Sequence, residues 1–167
     1  MKRIWAVVAI LCLVLSVTNC GGGGSLPESP AQAPSSSTSP QALPPDVIIS
    51  YNISFNGTAM VITGQASVPD GALLTYEVTS KPFVIDASAD GVAEVKDGRW
   101  SATVDLSNFP HGRIEIWVAF QTALGTTGEQ PANIIDLYGE DGERITGPQT
   151  TVSGHFRRAE LVKTVEY

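Results

Sequence analysis

The chain has 167 residues, with 10 basic against 17 acidic and a formal net charge of -7 at neutral pH. Such a balance excludes nucleic acid as a partner, because phosphate contacts need clustered Lys and Arg. Two Cys exclude both a disulfide-rich scaffold and a Cys-based zinc site, and the length suits one domain.

Lys2 and Arg3 open the chain, and residues 4–17 are apolar except for Ser16. That run is short for a membrane span, which needs about 20 residues, and suits the apolar region of a signal peptide. Val17-Thr18-Asn19-Cys20 follows and resembles the lipobox of bacterial lipoproteins. The resemblance implies cleavage before Cys20, lipid on the Cys20 sulfur, and a chain held on the extracytoplasmic side of a cell or outer membrane. Asn19 stands where that family prefers Gly, Ala or Ser. Cleavage also removes Cys12, so the mature chain is expected to have no disulfide and to rely on its core alone.

Residues 21–45 hold four Gly, six Ser, six Pro and one charge, Glu28. They lack the apolar side chains needed to offset chain entropy and read as a disordered linker. Residues 46–167 then read as one mainly β domain, an antiparallel sandwich of about seven strands.

Period-2 alternation carries that reading. Val47, Ile49, Tyr51, Ile53 and Phe55 share a face, and Asn56-Gly57 predicts a hairpin turn. Met60, Ile62, Ala66 and Val68 continue, interrupted by Gly64. After Pro69-Asp70-Gly71 come Leu74, Tyr76 and Val78. Residues 92–95 form a short strand, and Lys96-Asp97-Gly98 turns the chain into Trp100, Ala102, Val104 and Leu106. Ile114, Ile116, Val118 and Phe120 make the most apolar face. Pro131 near a helix start and Gly139 just after its end predict one short helix over residues 131–139, with Ile134, Leu137 and Tyr138 on one side. Gly147-Pro148 marks a turn before a last strand near 156–167, where Lys163 breaks the apolar pattern.

The stretches Gly64-Gln65-Ala66-Ser67-Val68-Pro69-Asp70-Gly71, Asp97-Gly98-Arg99-Trp100-Ser101 and Gly112-Arg113-Ile114-Glu115-Ile116 resemble immunoglobulin-like or transthyretin-like modules of bacterial cell surfaces. The likeness lies in turn chemistry and implies a fold, without functional residues.

The chain carries no G-x-S-x-G, H-E-x-x-H, P-loop or dinucleotide-binding glycine pattern, and the expected role is non-enzymatic. His111 and His155 read as surface loop residues. The sharpest local pattern is residues 86–97, where Asp86, Ser88, Asp90, Glu94 and Asp97 fall at calcium-loop spacing with Gly91 at the sharp turn. The competing reading is two Asp-Gly turns, Asp90-Gly91 and Asp97-Gly98, bounding a hairpin. Trp117 lies opposite Ile116 and Val118; it either faces out as a binding platform or is covered by the helix or a loop. The expected function is a lipid-anchored module that offers a binding surface to an envelope protein or glycan. The alternatives are a calcium-dependent carbohydrate-binding module, or a protease inhibitor acting through residues 121–130.

Overall fold

The computed structural model describes residues 45–167; the leader, Cys20 and the linker up to residue 44 lie outside the described residues. Eight strands and one short helix follow in order: β1 (Ile49–Asn56), β2 (Ala59–Ala66), β3 (Leu73–Lys81), β4 (Ser88–Glu94), β5 (Arg99–Asp105), β6 (Arg113–Gln121), α1 (Ala132–Tyr138), β7 (Thr150–Ser153) and β8 (Phe156–Glu166). Among the described residues, no helix is long and apolar enough to cross a membrane.

The strands form two antiparallel sheets, one ordered β1-β2-β5 and the other β4-β3-β6-β8-β7. The chain is therefore a mainly β protein with a sandwich core. β7 is the strand that alternation does not reveal, since four residues are too few to display a period. The inner faces are the predicted ones. Ile49, Tyr51, Met60, Ile62, Trp100 and Val104 from one sheet bury against Leu74, Val78, Ile114, Ile116, Val118, Phe120 and Ala159 from the other.

Tyr51 and Trp100 both pair with Gly64, from opposite sides. Their rings meet edge to face, with centroids 6.0 Å apart. The Tyr51 hydroxyl donates across the sandwich to the carbonyl of Ile116, at 2.8 Å. Burial pushes that hydroxyl well above the ordinary tyrosine range.

The helix falls where predicted. Pro131 precedes it, and Gly139, with φ of 91°, ends it. Ile134 and Tyr138 enter the core, and the Tyr138 ring meets Phe120 edge on, with centroids 4.9 Å apart.

One turn is corrected. Asp97-Gly98 is a turn, with positive φ at both residues, but Asp90-Gly91 lies inside β4, which begins at Ser88 rather than at Val92. Gly91 is there for packing. It pairs with Tyr76, and a Cβ on it would sit 2.5 Å from the Tyr76 hydroxyl oxygen. A glycine in a strand marks a turn or a close approach, and here it marks the approach.

The first half of the outer edge of β1 is partly closed by side chains. Gln149 accepts from the Ile49 amide at 2.6 Å and donates to the Ile49 carbonyl at 2.9 Å. Lys163 donates to the Tyr51 carbonyl and lies over the Tyr51 ring, 4.4 Å from its centroid. The lysine that breaks the apolar pattern of β8 thus points inward along the core and places its ammonium on an edge carbonyl.

Candidate functional site

The register fixes what surrounds Trp117. It lies on β6 between Glu77 of β3 and Val162 of β8. Because Ile116 and Val118 are buried in the core, the indole stands on the outer face of the five-stranded sheet, half-buried. Helix α1 does not cover it, since that helix packs on the core through Ile134 and Tyr138.

Neighbours on β8 hold the ring instead. The Arg158 guanidinium carbon lies 5.4 Å from the ring centroid, within the range of cation–π attraction. Trp117 Nε1 donates to Glu160 at 2.7 Å. Glu160 also accepts from Arg158 Nε at 2.7 Å and from Thr151 Oγ1 at 3.0 Å. Burial alone would raise the Glu160 carboxyl, but these three hydrogen bonds and the Arg158 charge hold it below its ordinary value.

That depression has a sign. A carboxyl bound more tightly as its anion in the folded state adds stability above its unfolded pKa and loses it as pH falls through the folded value. Urea midpoints should therefore drop on acidification below about pH 4. Glu160→Gln should flatten that part of the slope. An unchanged acid slope in the variant would show that Glu160 does not titrate as its contacts require.

Three shallow depressions adjoin on this face. One, of about 290 Å³, is bounded by Glu77, Asp90, Trp117, Gln121, Leu124 and Thr127 among others. A second, of about 310 Å³, lies between Trp117, Glu77, Thr79, Glu115 and Arg158. A third, also about 310 Å³, is lined by Gln121, Ala123, Asp141, Ser153, Phe156 and Arg158, with Gly125 and Arg157. Trp117, Gln121 and Arg158 are each shared between two of them, so together they make one interrupted groove across the sheet.

Its charges are mostly negative towards β4. Glu77 and Asp90 stand directly opposite each other. Neither has an ion-pair partner among the described residues, whereas Glu115 pairs with Lys81 at 3.0 Å. Like charges facing each other across a sheet are unfavourable.

The five residues at calcium-loop spacing are not brought together. Ser88, Asp90 and Glu94 run along β4, extended over roughly 20 Å at the rise of a strand. Asp86 precedes that strand, and Asp97 sits in the turn after it. A calcium loop must curl its oxygens around one point, which an extended strand does not do. Among the described residues, no three His, Cys, Asp or Glu side chains group closely enough to hold a metal ion.

The segment read as a possible inhibitor loop is anchored on the fold near both ends, while residues 125–129 between them are exposed. Leu124 is buried, and Thr122 Oγ1 donates to the Glu140 carbonyl at 2.8 Å. Gln130 is buried too. It accepts from the Leu73 amide at 2.9 Å and donates to the carbonyls of Leu73 and Gln121 at 2.7 and 2.8 Å. The two histidines are both exposed: His111 stacks near Tyr167, and His155 lies against Phe156, 3.9 Å from Asp141.

Sequence reasoning found Trp117 and missed Glu77, Gln121, Phe156, Arg158 and Glu160. Phe156, Arg158, Glu160 and Val162 do alternate with the apolar face of β8, but only the register places Arg158, Glu160 and Val162 on the strand beside the indole. Comparison with protein-family models, with curated proteins and with solved structures finds no match to this chain.

Proposed function

We propose that the chain is a lipid-anchored, extracytoplasmic, non-enzymatic binding module. The lipid on Cys20 would confine it near a membrane and raise its effective concentration for partners there. The outer face of the five-stranded sheet would be the surface it presents. One observation supports this choice of face: Trp117 is partly exposed on the outer face and its nitrogen is fixed by Glu160, so an aromatic platform is pre-positioned in the groove. A preset ring loses little freedom on binding, and Trp is enriched among residues that carry binding energy.

The test has two arms. Cys20→Ser should move the full-length chain from the membrane fraction to the soluble fraction and abolish labelling by a radioactive fatty acid. Trp117→Ala should lose most of the envelope material that the wild-type chain retains. Retention that ignores the tryptophan would refute the assignment of this face. Because Ser88, Asp90 and Glu94 are strung along a strand, with Asp86 and Asp97 beyond its ends, retention should also persist in EDTA; release by EDTA would restore the calcium reading.

A further inference from the structure

The groove narrows the chemistry of what it could hold, and this inference rests on the proposed binding face. We propose that the groove between Trp117 and Phe156 binds a linear glycan containing amino sugars.

Length is the first argument. Trp117 pairs with Val162, and Phe156 lies six residues back along β8 on the same face. At about 3.3 Å per residue the backbone positions that carry the two rings are roughly 20 Å apart along the strand, and the indole leans from its own position towards Glu160 and Arg158. Two aromatic surfaces so spaced, with depressions between and beside them, suit a chain of several pyranose rings. A compact small ligand would reach only one of them.

The groups that the groove offers are of one kind. Between and beside the rings the groove presents side chains: Glu77, Thr79, Glu115, Gln121 and Arg158. The backbone groups beneath are used in the sheet ladder. An extended peptide draws much of its affinity from main-chain pairing at a sheet edge, which a sheet face does not supply. A glycan bonds through hydroxyls and ring faces, which carboxylates, amides and aromatics recognise directly.

Charge is a further argument. Glu77 and Asp90 face each other beside Trp117 without a basic partner among the described residues. An ammonium group placed there would relieve their repulsion. The indole already attracts one cation, Arg158. An anionic glycan would meet unneutralised carboxylates at this end. The Phe156 end carries Arg157 against Asp141, and Arg158, whose charge Glu160 offsets, so it has no excess of negative charge and the amine is assigned to the Glu77–Asp90 end.

The test is calorimetric titration of the full-length chain in detergent, below neutral pH. The probes are a glucosamine hexamer, cellohexaose, a galacturonic acid hexamer and a lysine hexapeptide. The glucosamine hexamer should bind most tightly. Trp117→Ala should weaken it about tenfold, the worth of one good aromatic contact. Phe156 is 44% exposed, so Phe156→Ala should fold normally and weaken binding several-fold, keeping the test open if the tryptophan variant misfolds. Glu77→Gln should cost the glucosamine hexamer about threefold and leave cellohexaose unchanged. Ile85→Ser, on the exposed β3–β4 loop at the other end of the sheet, is the control and should alter none of these.

No binding by either the glucosamine hexamer or cellohexaose would overturn the inference, as would tightest binding of the acidic hexamer. Tightest binding by the lysine peptide would also overturn it, in favour of a basic protein partner. In each case, Trp117-dependent retention of envelope material would still uphold the binding face, so the two failures are told apart.

Discussion

Gly64→Ala should destabilise the fold by about 3 kcal/mol, the upper range for an overpacked core site, read as a lower urea midpoint. A Cβ at this position would lie 2.1 Å from the Ser50 carbonyl oxygen and 2.6 Å from Trp100 Nε1. One obstacle is backbone and the other is a buried indole already in edge contact with Tyr51, so neither can yield cheaply. Gly57 is the comparison. It has φ of 60° and nothing within 4 Å of an added Cβ. Gly57→Ala should cost only the left-handed backbone, roughly 1–2 kcal/mol. Equal losses at the two positions would show that space around Gly64 is not what constrains it.

Gln130→Leu should cost about 3 kcal/mol, because truncating a buried partner leaves its polar contacts unsatisfied at about 1–3 kcal/mol each. The Gln130 amide satisfies the Leu73 amide and carbonyl together with the Gln121 carbonyl. Leucine fills the volume and pairs with none of them. The damage should be local as well as global. Hydrogen exchange at the Leu73 amide should speed up more than at Ile116 in the middle of the sheet. Since the segment held by Gln130 supplies Leu124 and Thr127 to the groove beside Trp117, ligand affinity should fall with it. A variant with native stability and native exchange at Leu73 would refute this role.

Legibility followed the physics of each element. The inner faces could be read because one face of each long strand is buried and the other wet, which stamps a period of two on residues such as Ile114, Ile116 and Val118. The helix could be read from Pro131 and Gly139. β4 was blurred because Asp90-Gly91 carries turn chemistry, while the reason for Gly91 is the Tyr76 side chain on another strand. Four-residue β7 offers no period to read. The outward position of Trp117 followed from its neighbours in the chain. The residues that make its surroundings a site did not, because Glu77 and Glu160 reach it from strands 40 and 43 positions away in sequence. Pairing across such separations depends on register, and alternation within one strand says nothing of which strand lies beside it.

The partly closed edge of β1 bears on how such a chain tolerates company. An edge strand normally displays amides and carbonyls that invite another strand to join. On β1 the groups of Ile49 are taken by Gln149, and the Tyr51 carbonyl by Lys163. A neighbour that approached this flank would find its first pairing positions occupied. Copies held in one plane, as the proposed lipid anchor would hold them, would collide far more often than the same copies free in solution. A flank whose first positions are occupied is a poorer template there for a neighbouring sheet.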